Sequence, residues 1–62
     1  MEKQIIYCEI AYANTIACFY VKNTQDYKNK LEQLKENYDN VQVMFLEWDD
    51  GTMEYGNLEG MI

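Results

Sequence analysis

Apolar residues along this chain recur at a spacing of two, yet the positions between them are apolar as well. Over residues 4–11 and into the following turn, Ile6, Cys8, Ile10 and Tyr12 share one side of an extended backbone. Ile5, Tyr7 and Ala11 share the other, interrupted by Glu9. Over 15–22, Ile16, Cys18 and Tyr20 oppose Ala17, Phe19 and Val21. Over 41–48, Val41, Val43 and Phe45 oppose Met44, Leu46 and Trp48. A strand alternates its side chains across the sheet, so a sheet with one wet face should show a polar second register. These strands scarcely do, which predicts that both faces of their sheet are covered.

Turn chemistry divides the strands into hairpins. Tyr12-Ala13-Asn14 suits a three-residue loop with Asn14 left-handed, a conformation that Asn tolerates and Ala resists. Ala11 then closes on Thr15, with Cys8 opposite Cys18 and Ile10 opposite Ile16. A two-residue Ala13-Asn14 turn is the alternative and pairs Cys8 with Phe19. Farther on, Asp49-Asp50-Gly51 joins 41–48 to a short return strand, 52–55. A tight Asp-Gly turn sets Trp48 against Met53 and Leu46 against Tyr55, but it also opposes Glu47 to Glu54. A bulge at Gly51 relieves that like-charge pair.

Between the hairpins the spacing changes. Tyr27, Leu31, Leu34 and Tyr38 recur at four, three and four, one narrow stripe of a helix. Asn23 is placed to cap it, with Asp26 near the positive end of its dipole. Asp39-Asn40 ends it. The chain therefore reads as α+β: a single small ββαββ domain over residues 1–62, with a four-stranded, mainly antiparallel sheet and one helix packed on one face. An all-antiparallel order 2-1-3-4 would set the two longest apolar strands at the centre. Residues 56–62 either fray or fold back over an edge. A stripe of four residues can cover only one sheet face, so the second face predicts an interface.

Composition bounds the partner. The 62 residues bear a formal net charge of −6, with eleven acids against five lysines and neither arginine nor histidine. An acidic chain without a basic stripe is unsuited to direct nucleic-acid binding, and long-range attraction favours basic proteins instead. The apolar stretch 5–21 is interrupted by Glu9, Asn14 and Thr15. It follows a single lysine and precedes no small-residue cleavage site, so it reads neither as a secretory signal nor as a membrane span. A cytoplasmic location is expected, where Cys8 and Cys18 would stay reduced as small buried hydrophobes.

Little here carries catalytic chemistry. Without histidine the chain lacks the commonest neutral-pH base and metal ligand, and two cysteines make at most half a zinc site. Glu47, Asp49, Asp50 and Glu54 surround a turn and do not follow calcium-loop spacing, so they read as turn and solvation residues. No catalytic residue, cofactor or metal is expected. The expected function is that of a non-enzymatic acidic protein-binding module, homodimeric, with Ile5, Tyr7, Glu9, Phe19, Val21, Trp48 and Tyr55 as interface residues. Aromatics of this kind are enriched at interfaces. In size and charge the chain resembles the small acidic inhibitors of phages and mobile elements that occupy nucleic-acid-binding sites on host proteins. No family motif accompanies that comparison. The alternative is a small-ligand binder whose pocket, lined by Tyr, Trp and Glu9, lies between two copies.

Overall fold

A computed structural model describes residues 2–58. Strands β1 (Ile5–Tyr12) and β2 (Thr15–Tyr20) form the first hairpin, α1 (Thr24–Asn37) follows, and β3 (Gln42–Trp48) and β4 (Met53–Tyr55) form the second. The sheet is antiparallel throughout, in the order β2-β1-β3-β4. The expected ββαββ domain is present, with its two longest strands side by side at the centre. No helix among the described residues is long and apolar enough to cross a membrane.

The first hairpin adopts the two-residue turn. Tyr12 pairs with Thr15 and Cys8 with Phe19, so the expected Cys8–Cys18 and Ile10–Ile16 pairs do not form. Ala13 and Asn14 are both left-handed, at φ 50° and 61°. That conformation costs an alanine about 1–2 kcal/mol. In return, Phe19 and Val21 face the helix in place of Tyr20, whose hydroxyl would need a buried partner there. The second hairpin takes the bulged form. Trp48 N–H donates to Thr52 O and Gly51 N–H to Trp48 O, with Gly51 at φ 88°. Glu47 consequently meets Met53 rather than Glu54, and Phe45 meets Tyr55.

Two irregularities in the β1–β3 ladder decide what is buried. The register shifts between Ile5 and Tyr7, and again between Glu9 and Ile10 where Met44 is the extra residue. Each shift reverses the alternation of one strand. Ile5, Cys8 and Ile10 on β1 thus share the helix side with Val43 and Leu46 on β3, and all five are fully buried. Val21, Tyr27, Val41 and Leu58 complete the core, with Tyr12, Phe19, Leu31, Leu34 and Trp48 packed around it. The expected grouping of Ile5 with Tyr7, and of Phe45 with Val43, is corrected by these shifts. Leu58 donates its N–H to Val43 O, so the tail folds back at least that far. The remainder, 59–62, lies outside the described residues.

The helix begins where expected. Asn23 Oδ1 accepts the Asp26 N–H at 2.8 Å, and Asp26 Oδ2 in turn accepts the Lys22 N–H at 3.0 Å. One turn on, Tyr27 is the helix's buried anchor. A reciprocal pair ties this end to the sheet: Ile5 N–H donates to Thr24 Oγ1 at 3.1 Å, and Thr24 N–H to Gln4 Oε1 at 3.0 Å. Gln4 also exchanges bonds with Asp49, so one residue joins the first strand, the helix start and the second turn. At the far end Tyr38 leaves the expected stripe as the helix cap, and its ring lies 4.8 Å from that of Tyr12.

The turn geometry sets the sign of two substitutions. Ala13→Gly relieves a left-handed alanine and should stabilise the protein by about 0.5–1 kcal/mol in urea unfolding. A three-residue loop with Ala13 right-handed would make the same change destabilising. Gly51→Ala should cost about 1 kcal/mol, because its φ excludes a Cβ without strain even though the space is open.

Candidate interaction face

The helix covers one side of the sheet, and the opposite side carries a row of rings. Tyr20 on β2 lies 4.8 Å from Tyr7 on β1, Tyr7 lies 5.8 Å from Phe45 on β3, and Phe45 lies 4.9 Å from Tyr55 on β4. The row crosses all four strands. Each successive pair meets at a tilted or edge-on angle, between 50° and 68°, an arrangement the ring quadrupoles favour. Its centre is half-buried and its ends are open: Tyr20 is 87% and Tyr55 73% exposed. Ile16 and Met53 extend the apolar area at the two edges, both more than half open or at half.

The charged residues that the strands place on this face are acidic. Glu9 lies opposite Phe45 and Cys18, and Glu47 opposite Tyr7 and Met53. None of the five lysines lies in a strand. Lys30 sits over Phe19 and Lys3 over Trp48, two rings packed against the helix-side core. The phenol of Tyr7 donates to Glu9 Oε2 at 2.8 Å. Hydrogen bonding with the Cys18 thiol first, and with Glu9 second, holds the Tyr7 phenol well above its usual pKa. Tyr7 therefore stays protonated and keeps Glu9 oriented, leaving the carboxylate's other acceptor positions available. The cost of a half-buried carboxylate inside an aromatic surface is met by this bond.

The expected interface residues separate into two groups. Tyr7, Glu9 and Tyr55 lie together on the open face. Ile5 and Val21 belong to the core, and Phe19 and Trp48 pack against it on the helix side. Trp48 and Glu9 are therefore not brought to one surface, and among the described residues no pocket is lined by Tyr, Trp and Glu9 together. Phe45, Tyr20, Glu47, Ile16 and Cys18 join the face unanticipated. A signal for Phe45 was present: it shares its alternation with Glu47, a side chain unsuited to the core, two residues on. Cys18 is exposed, which corrects the expectation that both thiols are buried; both are free.

The acidic residues of the second hairpin disperse in space. Asp49 Oδ1 accepts the Gln4 N–H and Asp50 Oδ1 the Thr52 N–H, at 3.1 and 2.9 Å. Bonds from the Thr52 hydroxyl and N–H hold the Asp50 carboxyl below its usual pKa. Glu54 opposes Leu46, away from the ring face that holds Glu47. No group of three or more metal-ligating side chains gathers among the described residues. No protein-family model matches the chain, and no curated protein or solved structure is significantly similar to it.

The two thiols should differ sharply. In native protein a thiol reagent should titrate Cys18 alone, and Cys8 should appear only on unfolding; two fast thiols in the native state would contradict the burial of Cys8. Burial pushes the Cys8 thiol from 9.0 up to about 11. A pKa raised by folding contributes stability that is complete below the unfolded value and lost as pH rises towards the folded one. Urea stability should therefore decline between about pH 9 and 11, with Tyr7 acting in the same direction at higher pH. Cys8→Ala should flatten that decline, and an unchanged slope would contradict the assignment.

Proposed function

We propose that this protein is a non-enzymatic binding module whose ring-lined sheet face docks on a basic protein surface. The row Tyr20–Tyr7–Phe45–Tyr55, flanked by Glu9 and Glu47, carries this reading. Arginine suits such a face best. Its planar guanidinium stacks on aromatic rings and pairs with carboxylates through two parallel bonds. Tyrosine supplies broad contact area with few rotors to freeze, which is why it recurs in binding surfaces. A formal charge of −6 steers such a partner from a distance and repels phosphate backbones.

A partner with that chemistry is a protein whose basic surface itself holds nucleic acid, and occupying the surface would inhibit it. Inhibition of this kind, as by the small acidic proteins of phages and mobile elements, needs no catalytic group. It needs an acidic, aromatic face of sufficient area on a rigid support, and the four-stranded sheet provides one. A symmetric face-to-face pairing of two copies fits less well, because it would bring Glu9 and Glu47 against the carboxylates of the second copy.

Nona-arginine, nona-lysine and a single-stranded oligonucleotide are suitable probes, read by residue-resolved NMR shifts. Nona-arginine should bind more tightly than nona-lysine, and the oligonucleotide should not bind. The shifts should centre on Tyr7, Tyr20, Phe45 and Tyr55. Affinity should fall as salt rises, and Tyr20→Ala with Glu47→Lys should weaken it at least tenfold. Shifts confined to the helix, or binding insensitive to salt and to both substitutions, would overturn the reading.

A further inference from the structure

The two edges of the sheet are unlike. The β4 edge is three residues long and carries Glu54. The β2 edge is six residues, Thr15–Tyr20, with no charge, no proline and no bulge against its single neighbour. Edges exposed in this way pair readily with another strand, and natural sheets usually blunt them with charge, proline or bulges. Here none of those devices is present.

The groups on offer follow from the ladder. Val21 N–H donates to Ile6 O at 3.0 Å, so Ile6 and Val21 form a bonded pair. Bonded and non-bonded pairs alternate along an antiparallel ladder. Phe19, Ala17 and Thr15 therefore turn their backbone groups inward to β1, and Tyr20, Cys18 and Ile16 turn theirs outward. Those outward groups have no backbone partner among the described residues. The same three residues carry side chains on the open face, where Ile16 and Tyr20 are among the most exposed apolar groups.

We propose that β2 pairs antiparallel with β2 of a second copy, about a two-fold axis at Cys18. This register is self-complementary. Cys18 meets its own counterpart, Ile16 lies beside Tyr20 of the second copy, and Ala17 lies beside Phe19, so every outward group of the edge finds a partner. A register centred on Ala17 would instead leave Tyr20 opposite Asn14 in the turn. Charge selects the occupant as well. Two chains of formal charge −6 repel unless they meet where neither is charged, and β2 is such a place. The carboxylates on the strands next to the seam, Glu9 of each copy, stand three strand spacings apart, about 14 Å, beyond a Debye length of about 8 Å. The two-fold axis is perpendicular to the sheet, so both ring faces lie on the same side of one continuous sheet. They remain free for a partner, and the pairing does not depend on what docks there.

Sedimentation equilibrium over a range of concentrations, combined with amide exchange, tests this. A two-chain mass should appear with rising concentration, and exchange at Ile16, Cys18 and Tyr20 should slow in step with it. Cys18→Lys sets two lysines face to face across the axis while placing each beside its own Glu9. It should raise the dimer dissociation constant at least tenfold with an unchanged circular dichroism spectrum. A chain that stays monomeric at all concentrations would overturn the proposal. So would a dimer in which those three amides exchange as fast as in dilute protein, or one indifferent to Cys18→Lys.

Discussion

The pairing of β1 with β3 decides which side chains this fold buries. These are the two central strands, and between them they supply five of the fully buried side chains. A strictly regular ladder would set Ile5 on the side away from Cys8, and Val43 on the side away from Leu46. The two register shifts bring all of them under the one helix. Full burial of each such side chain is worth about 1.5–3 kcal/mol, and a small domain has only a few kcal/mol of net stability. Losing even one large apolar residue to the wrong face would therefore consume much of the margin. The bulges are the device by which a short chain concentrates its apolar surface on one side.

The same device shapes the other side. Once Ile5, Ile10, Val43 and Leu46 face the helix, the positions left for the opposite face are Tyr7, Glu9, Phe45 and Glu47, joined from the outer strands by Cys18, Tyr20, Met53 and Tyr55. That set is aromatic and acidic rather than aliphatic. The rings pack on one another edge to face, which shelters Tyr7 and Phe45 without a second layer, and the hydrogen bond from Tyr7 satisfies Glu9 within the row. An open sheet face built in this way can remain in water and still offer substantial area to a partner. Folding thus draws on one side of the sheet and leaves the other for the binding role proposed above.

Much of the architecture was legible in the sequence. The change from period two to the four-three spacing of Tyr27, Leu31 and Leu34 located the helix, Asn23 marked its start, and Asp-Gly marked the second turn. The face assignments were less accessible, since alternation carries no record of a bulge. One extra residue at Met44 reverses every position after it, and the relevant information lies in the neighbouring strand. The first turn departs from its local preference for a related reason. Ala13 disfavours the left-handed region locally, and the preference was overridden by which residues of β2 reach the core. Of the residues expected at an interface, Tyr7 shares a register with Glu9, whose charge marks that side as wet, while Tyr55 joins them through the β3–β4 register, which the sequence leaves open. Ile5 and Val21 were assigned to it through registers that the bulge and the two-residue turn both alter. The surplus of apolar positions that suggested a covered second face is resolved in part by mutual packing of the rings.

One helix covers one face of the sheet, and the other face stands open to water as a row of rings. Photochemically induced nuclear polarisation of the tyrosines in dilute, partner-free protein tests it most directly, because the signal requires physical contact between a dye and each ring. Tyr20 and Tyr55 should give strong signals and Tyr27, buried beneath the helix, none. A polarised Tyr27, or silent rings at Tyr20 and Tyr55, would rule out this arrangement of the two faces.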